Sequence, residues 1–568
     1  MATGELTASK VDPITTEIIR NAFISAADEM NATLIRSAYN AIIYEAKDCS
    51  VALLDEHKRV LGQSAGLPIF LGNLEICVQL TEDAFGAEVW APGDVWIMND
   101  SYLTGTHLGD VTIFAPIFYR DELAGFSASR AHWLDIGAKD LPAPTDSTEI
   151  YQEGIRLGPT KVMEAWKLRE DIVDILKRNT RLPSLLVGDL HAQIAVARTG
   201  ERRLAAILDR YGVDTVRSAR EQIFAQSEAL DRAAVQAIPD GIYQAEGCLD
   251  NDGVSDEPFW VRMRIDVIGD EMTVDLTESS GPARGAINCG EAQTISACRV
   301  AFKRLINPDR PVTGGTFLPL TVKVRPNSLL AAQEPAACQW YFTPLGLLID
   351  LFAKALAPVM AEEVAAASHG DSMVTYITGL RDRTGNLFVN VDALVGGWGA
   401  WHGSDGESCL INSVNGAIND FPIEIVESRF PLRVRRYAVR TGSAGAGKWR
   451  GGCGTVREFA IEDDDVWLSL WYERSRTPAW GLFGGHAGKP PLVELNPGTP
   501  EARSMLKVNR LPLSRGDVLL CQSPGGGGYG DPRERDPRLV ERDLAEGFIT
   551  LDEARAEYGF DPRPGGSA

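Results

Sequence analysis

Two β-prone runs, Val111 to Tyr119 and Leu123 to Ala131, flank the polar triplet Arg120-Asp121-Glu122. Apolar runs separated by so few polar residues fold back on each other as a β-hairpin. This feature constrains the chain most, because an antiparallel pairing has one register and every residue on one strand then has a named partner on the other. A turn centred on Asp121 sets Asp110 opposite His132 and His107 opposite Asp135.

The residues that meet there are chemically alike. Asn99 to Asp110 ends in His107-Leu108-Gly109-Asp110, and Ser129 to Asp135 ends in His132-Trp133-Leu134-Asp135. Out of only seven histidines, the hairpin gathers two, with two carboxylates, at one end of its ladder. A three-residue spacing puts His107 and Asp110 on opposite faces of a regular strand, so a bend is needed, for which Gly105 and Gly109 are suited. Mixed nitrogen and oxygen ligands suit a divalent metal such as zinc, manganese or iron, and two histidines with one carboxylate are also the iron facial-triad set. A second reading stays open, in which each histidine hydrogen-bonds its neighbouring aspartate inside an ordered loop.

Composition narrows the function classes. The chain of 568 residues is long enough for three or four domains, and 44% apolar with 24% charged residues is the balance of a folded, soluble protein. Its 56 basic and 78 acidic residues leave a charge of −22, and without any basic run such a chain repels a phosphate backbone, which argues against nucleic acid. Met1 to Leu6 lacks the basic and apolar segments of an export signal, and the longest apolar stretch, Leu345 to Met360, is broken by Asp350 and Lys354, so no membrane span is expected. Nine scattered cysteines with no CxxC pair read as reduced thiols in a cytoplasm.

Asp12 as N-cap, Pro13 at the first helical position and Ile14, Ile18, Ala22, Ala26 and Met30 on one face predict an opening helix. Cys49 to Leu54 and Val95 to Met98 read as strands, Lys161 to Tyr211 and Val216 to Ala237 as helical, and Tyr243 to Leu276 as strand-rich. One amphipathic helix is expected near Leu345 to Ala357, followed by short glycine-punctuated strands in sheets or a sandwich, and a closing helix capped by Thr550 and Glu553 with Gly559 after it. The fold class predicted is α+β, a large multi-lobed mixed fold with a helical and hairpin-containing N-terminal half and a strand-rich, glycine-rich C-terminal half. Its regions are 1–238, carrying the metal site, 239–532, and a helical tail 533–568.

Other candidates carry less. Gly442 to Trp449 has phosphate-loop spacing until its last position, where the serine or threonine that holds magnesium is Trp449, and Pro524 to Gly530 lacks the lysine as well. Both read as turns. The pairs Glu45 with Asp48 and Glu424 with Glu427 could supply a ligand or general base, but taken alone each fits a solvated or salt-bridged surface better, and His402 is the remaining histidine expected to line a cleft.

Gly93-Asp94-Val95-Trp96-Ile97-Met98-Asn99-Asp100, Gly105-Thr106-His107-Leu108-Gly109-Asp110, Ser129-Arg130-Ala131-His132, Glu149 to Gly154, Pro422-Ile423-Glu424, Arg433 to Tyr437, Gly445 to Gly452 and Gly526 to Pro532 occur in this order. In these motifs the chain resembles, over nearly its whole length, the hydantoinase B family, which holds the B-type subunits or halves of N-methylhydantoinase, 5-oxoprolinase and caprolactamase and related subunits of acetone and acetophenone carboxylases. The resemblance implies a metal at His107, Asp110 and His132, with Asp48 a further ligand and Asp135 nearby, and ATP with magnesium handled by a separate hydantoinase A type ATPase partner in a hetero-oligomer. Where many relatives have His-Ile-Pro-Val-His-Leu-Gly this chain has Gly66-Leu67-Pro68-Ile69-Phe70-Leu71-Gly72, so two histidines are missing and the pocket becomes more apolar. Ser101 also replaces the usual proline.

The function expected is that of a B-type component of an ATP-dependent amidohydrolase opening a hydantoin, 5-oxoproline or another lactam, with Asp135 or Glu45 handling protons. The alternatives are a ketone carboxylase component drawing on bicarbonate at the same metal, and a non-catalytic scaffold that docks the ATPase.

Overall fold

The computed structural model describes residues 11–416 and 418–561. Met1 to Leu6 and the last seven residues of the tail lie outside them. The first helix, α1 (Pro13–Ser37), starts as its sequence predicts, with the Asp12 carboxylate accepting from the backbone N–H of Ile14 and Thr15. Its buried face differs from the one the spacing predicts. Ile19, Phe23, Ala26, Ala27, Met30 and Leu34 are buried, whereas Ile14 and Ile18 are exposed. A strict four-residue spacing drifts around a helix of 3.6 residues per turn, so the 14–18–22 series leaves the face that 19–23–26–30 keeps.

Seven antiparallel strands form the sheet that carries the hairpin: β1 (Cys49–Asp55), β2 (Val60–Gln63), β3 (Val95–Met98), β4 (Asp110–Tyr119), β5 (Glu122–His132), β6 (Thr160–Glu164) and β7 (Lys167–Leu168), in the order β2-β1-β5-β4-β3-β6-β7. Residues 161–168, expected to be helical, fall in the last two of these and the turn between them. Ala165 and Trp166 take positive φ in the turn between them, and the free edge of β3 pairs with β6, so tertiary pairing overrides the local pattern. Helices α2 (Pro183–Tyr211) and α3 (Val213–Gln236), separated at Gly212, join α1 over one face of this sheet. Trp90, Trp96, Phe114 and Phe126 pack beneath the other. With both faces covered, β1 is buried at all seven positions.

The expected break near Ile238 to Gly241 falls between α3 and β8 (Gly241–Leu249), which with β9 (Phe259–Ile268), β10 (Glu271–Asp275) and β11 (Leu320–Lys323) forms a second sheet. Against it lie α4 (Glu291–Leu305) and α5 (Phe342–Leu356). Only α5 is legible in the sequence. The buried side of α4 carries Gln293, Thr294 and Ser296, which hydrogen-bond backbone carbonyls of Ile69 and Leu330, and polar residues on a buried face hide helical periodicity.

The remaining strands are β12 (Val374–Gly379), β13 (Phe388–Ala393), β14 (Leu432–Val439), β15 (Thr455–Ile461), β16 (Val466–Trp471), β17 (Leu492–Leu495), β18 (Arg503–Ser504), β19 (Lys507–Leu513) and β20 (Val518–Gln522). They make a sheet β13-β12-β16-β19 and a sheet β14-β15-β20-β17-β18 around a shared core. Helix and sheet are thus mixed throughout, as the α+β reading requires. The Thr550 to Glu553 capping box forms as predicted. Among the described residues no helix is long and apolar enough to cross a membrane.

A candidate metal centre at the foot of the hairpin

The hairpin has the predicted register: Asp110 pairs with His132, and the ladder runs unbroken to Ile117 opposite Gly125. Its turn is only two residues, Arg120 and Asp121, both at positive φ, and Ala124 is an unpaired bulge residue. A two-residue turn plus one bulged residue gives the same register as a turn centred on Asp121. The second predicted pair, His107 with Asp135, does not form. β4 begins only at Asp110, and the chain before it turns, with Gly105 left-handed at φ +85° and the Asp110 N–H donating to the His107 carbonyl. That bend swings the His107 ring back over Asp110. Gly109 sits against the His132 ring, where a Cβ would approach it to 3.0 Å.

His107 Nε2 lies 2.8 Å from Asp110 Oδ1 and 3.0 Å from His132 Nδ1, and His132 Nδ1 lies 3.0 Å from the same carboxylate oxygen. Atoms held at about 2.0–2.2 Å around one divalent ion stand roughly 3 Å or slightly more apart, so this triangle fits a metal. Its supports are those of a ligand set. His107 Nδ1 rests 3.0 Å from the Gln339 carbonyl, and the Tyr341 hydroxyl donates to Asp110 Oδ2 at 2.8 Å. Glu153, buried and accepting from Ser147 and from the backbone N–H of Cys338 and Gln339, fixes the segment that carries that carbonyl. Burial pushes the Glu153 carboxyl up to about 7.

Electrostatics follow from burial and proximity. Burial opposes charge on Asp110, but His107 and His132 overrule it and hold the carboxyl well below the ordinary range. Burial likewise opposes protonation of His107, and Asp110 outweighs it, so the imidazole is raised. Asp48 immediately precedes β1, which pairs with β5, and its carbonyl accepts from the His132 N–H. Its Oδ1 is buried with no hydrogen-bond partner among the described residues, and burial pushes the carboxyl up to about 6 against the pull of His132.

Asp48, His107, Asp110 and His132 line one cavity of about 80 Å³, together with Leu67, Phe70, Phe342, Val374, Ile418 and Phe421 among others. The two other predicted site residues lie outside its lining. Asp135 is buried but its carboxylate accepts from Arg181, Thr180 and the Gly137 N–H, because the chain has left the ladder after His132. Glu45 caps the single turn Ala41–Tyr44 and does not reach the cavity. Glu427 accepts from the Val434 N–H, and His402 is exposed beside Trp449 rather than set in a cleft. The glycine loops are structural: a Cβ on Gly526 would meet the Trp398 carbonyl at 2.0 Å, and the Gly445 N–H donates to Gly526. Gln339 and Tyr341 carry no sequence signal for the site, since they lie more than two hundred residues from their partners, whereas Glu153 lies within the quoted Glu149 to Gly154 motif.

The profile of the family described as Hydantoinase B/oxoprolinase matches residues 12–532. A protein of Pseudomonas sp. (strain NS671), named for the B-type component of a D-/L-hydantoinase, is 32% identical over 97% of this chain and 95% of its own. The crystal structure of the ATP-dependent caprolactamase from Pseudomonas jessenii superposes with a TM-score of 0.90 at 30% identity, covering 98% of each chain. Nucleotide-free acetone carboxylase shares the fold, with a TM-score of 0.88 at 19% identity over 98% of this chain and 80% of that one. Fold, motif order and a profile spanning the whole site therefore agree that this chain belongs to the hydantoinase B/oxoprolinase family.

Proposed function

We propose that the chain is the B-type component of a cytoplasmic, ATP-dependent amidohydrolase that opens a cyclic amide at a divalent metal, after activation by an ATPase partner of the hydantoinase A type. The observation that carries this reading is the triangle of His107 Nε2, Asp110 Oδ1 and His132 Nδ1 in a largely apolar cavity. His107, Asp110 and His132 would hold a divalent ion there, which would supply a Lewis acid for an amide oxygen or a water. Tyr341 and the Gln339 carbonyl keep Asp110 and His107 aimed, and the walls exclude bulk water from the activated substrate. Asp48, rather than Asp135 or Glu45, takes the proton-handling role, because its buried Oδ1 is free to accept a proton from an attacking water. The likeness to acetone carboxylase is one of fold at 19% identity, whereas the caprolactamase and the hydantoinase relative reach 30% and 32%, so hydrolysis is preferred to carboxylation.

Elemental mass spectrometry of the purified chain beside the His107→Ala, His132→Ala variant tests the metal. About one equivalent in the parent, lost in the variant, supports the reading. Metal in neither, with lactam turnover by the ATPase-containing complex unaffected by the variant, returns these residues to a structural role.

A further inference from the structure

The candidate metal centre shares a wall with a second cavity, lined by residues of the opposite charge. The turn Leu67 to Gly72 gives Leu67 and Phe70 to the metal cavity and Pro68, Leu71 and Gly72 to a space of about 350 Å³. The chain after Asn412 divides in the same way, with Asn415 lining the first cavity and Ser413 and Gly416 the second. These two segments are joined. The Ile69 N–H donates to the Val414 carbonyl, and a Cβ on Gly416 would meet the Pro68 ring at 2.7 Å.

Three residues lining the second cavity are cationic, Arg299, Lys303 and Arg304, all on α4, and none is acidic. They differ in what they already hold. Arg299 is engaged by Glu75 and donates to the Gly72 carbonyl. Lys303 donates to the Asn307 carbonyl, an ordinary finish for the last turn of a helix, and among the described residues has no carboxylate partner. The Arg304 guanidinium lies 5.0 Å from the centre of the Trp398 ring and makes no hydrogen bond or ion pair among the described residues. The carboxylate that acts on it, Asp350, is already bonded to Arg474 and Ser368. Burial pulls Lys303 and Arg304 below their ordinary pKa, the mark of charges without a close counter-ion. Much of the remaining lining is apolar, with Leu71, Val300, Val312 and Phe317, and Pro308 and Gly416 at its rim are exposed.

We propose that this cavity binds a small organic carboxylate with an apolar body, the carboxylate held by Lys303 and Arg304 and the body set against Leu71, Val312 and Phe317, and that its occupancy stiffens the wall shared with the metal cavity. The inference goes beyond the amidohydrolase reading and does not depend on it, since none of these five residues lines the metal cavity. A planar guanidinium takes a carboxylate through two parallel N–H bonds and the ammonium adds a point charge, whereas inorganic phosphate would leave the apolar walls uncovered.

Isothermal titration of the full chain with 3-phenylpropionate, the uncharged 3-phenylpropanol and inorganic phosphate tests the site. The acid should bind about tenfold more tightly than either control, the worth of one charge-assisted hydrogen bond. Arg304→Gln should remove about that factor, and Lys303→Arg, which keeps the charge, should retain binding; a circular dichroism spectrum matching the parent shows that each variant folds. Affinity for the acid should be unchanged in the His107→Ala, His132→Ala variant, which separates this site from the metal centre. Hydrogen exchange of the amides at 70–72 should slow when 3-phenylpropionate is bound. Equal binding of the alcohol or of phosphate, an Arg304→Gln chain that binds as the parent does, or binding lost with the two histidines would overturn the site, and unchanged exchange at 70–72 would overturn the stiffened wall. All of these outcomes leave the amidohydrolase reading as it stands.

Discussion

At the scale of single residues, the site depends on side chains that hold other side chains. Tyr341 contributes one hydroxyl, donated to Asp110 Oδ2, and no lone pair to the triangle itself. Its removal leaves His107, Asp110 and His132 in place but lets the carboxylate rotate. Tyr341→Phe is therefore expected to keep the fold and to weaken metal affinity by about tenfold, the lower end for outer-shell partners. Titration of the metal-stripped chain with manganese, beside a circular dichroism spectrum, checks both halves; unchanged affinity would show that the hydroxyl positions nothing. Much of the site is legible at this scale. Asp110 and His132 can be read from the sequence because strand pairing relates them, His107 because a glycine-permitted bend returns it to Asp110, and Asp48 through the family resemblance. Gln339 and Tyr341 cannot, because no local rule links residues 107 and 110 to positions beyond 330.

At the scale of elements, the hairpin turn stores strain. Arg120 and Asp121 both sit at positive φ, a conformation that side chains other than glycine and asparagine adopt at a cost. Replacing them by Asn-Gly, the pair suited to this turn, should stabilise the chain by about 1 kcal/mol. Urea denaturation reads the gain, and metal content should not change, since the bulge at Ala124 and the register beyond it are untouched. A loss of stability would mean that the Arg120 stack on Tyr119 outweighs the relief of strain. Elements also show where pattern and structure part. α4 is hidden from periodicity because its buried face is polar, and β6 reads as helix because its strand character comes from pairing with β3.

At the scale of the whole molecule, the cavity of the candidate metal centre is shared: its lining comes from residues 42–132 and from residues 341–421. The region that provides those walls is tied together by His369, which is fully buried under Gly396, 3.4 Å from the Gly397 carbonyl, with Arg474 and Asp350 close by. Burial lowers its imidazole to about 4, with Arg474 adding to the effect. In the unfolded chain the same group titrates near 6.5, so the unfolded state takes up a proton first as pH falls. The stability held above pH 6.5 is then lost progressively down to pH 4, by about 3 kcal/mol from this one group. Denaturation midpoints across that window should fall in the parent and fall less in His369→Gln; parallel profiles would show that other groups carry the acid sensitivity.

Sequence alone determined whatever rests on near neighbours and on strict periods. Capping boxes and the hairpin register, with it the pairing of Asp110 and His132, follow from backbone geometry that any such sequence must obey. Only the tertiary structure decided that Asp135 turns away to Arg181, that Asp48 Oδ1 is buried without a hydrogen-bond partner among the described residues, and that two distant stretches of chain line one cavity. Those outcomes depend on which distant surfaces press together, and burial is a property of the packed molecule rather than of any segment within it.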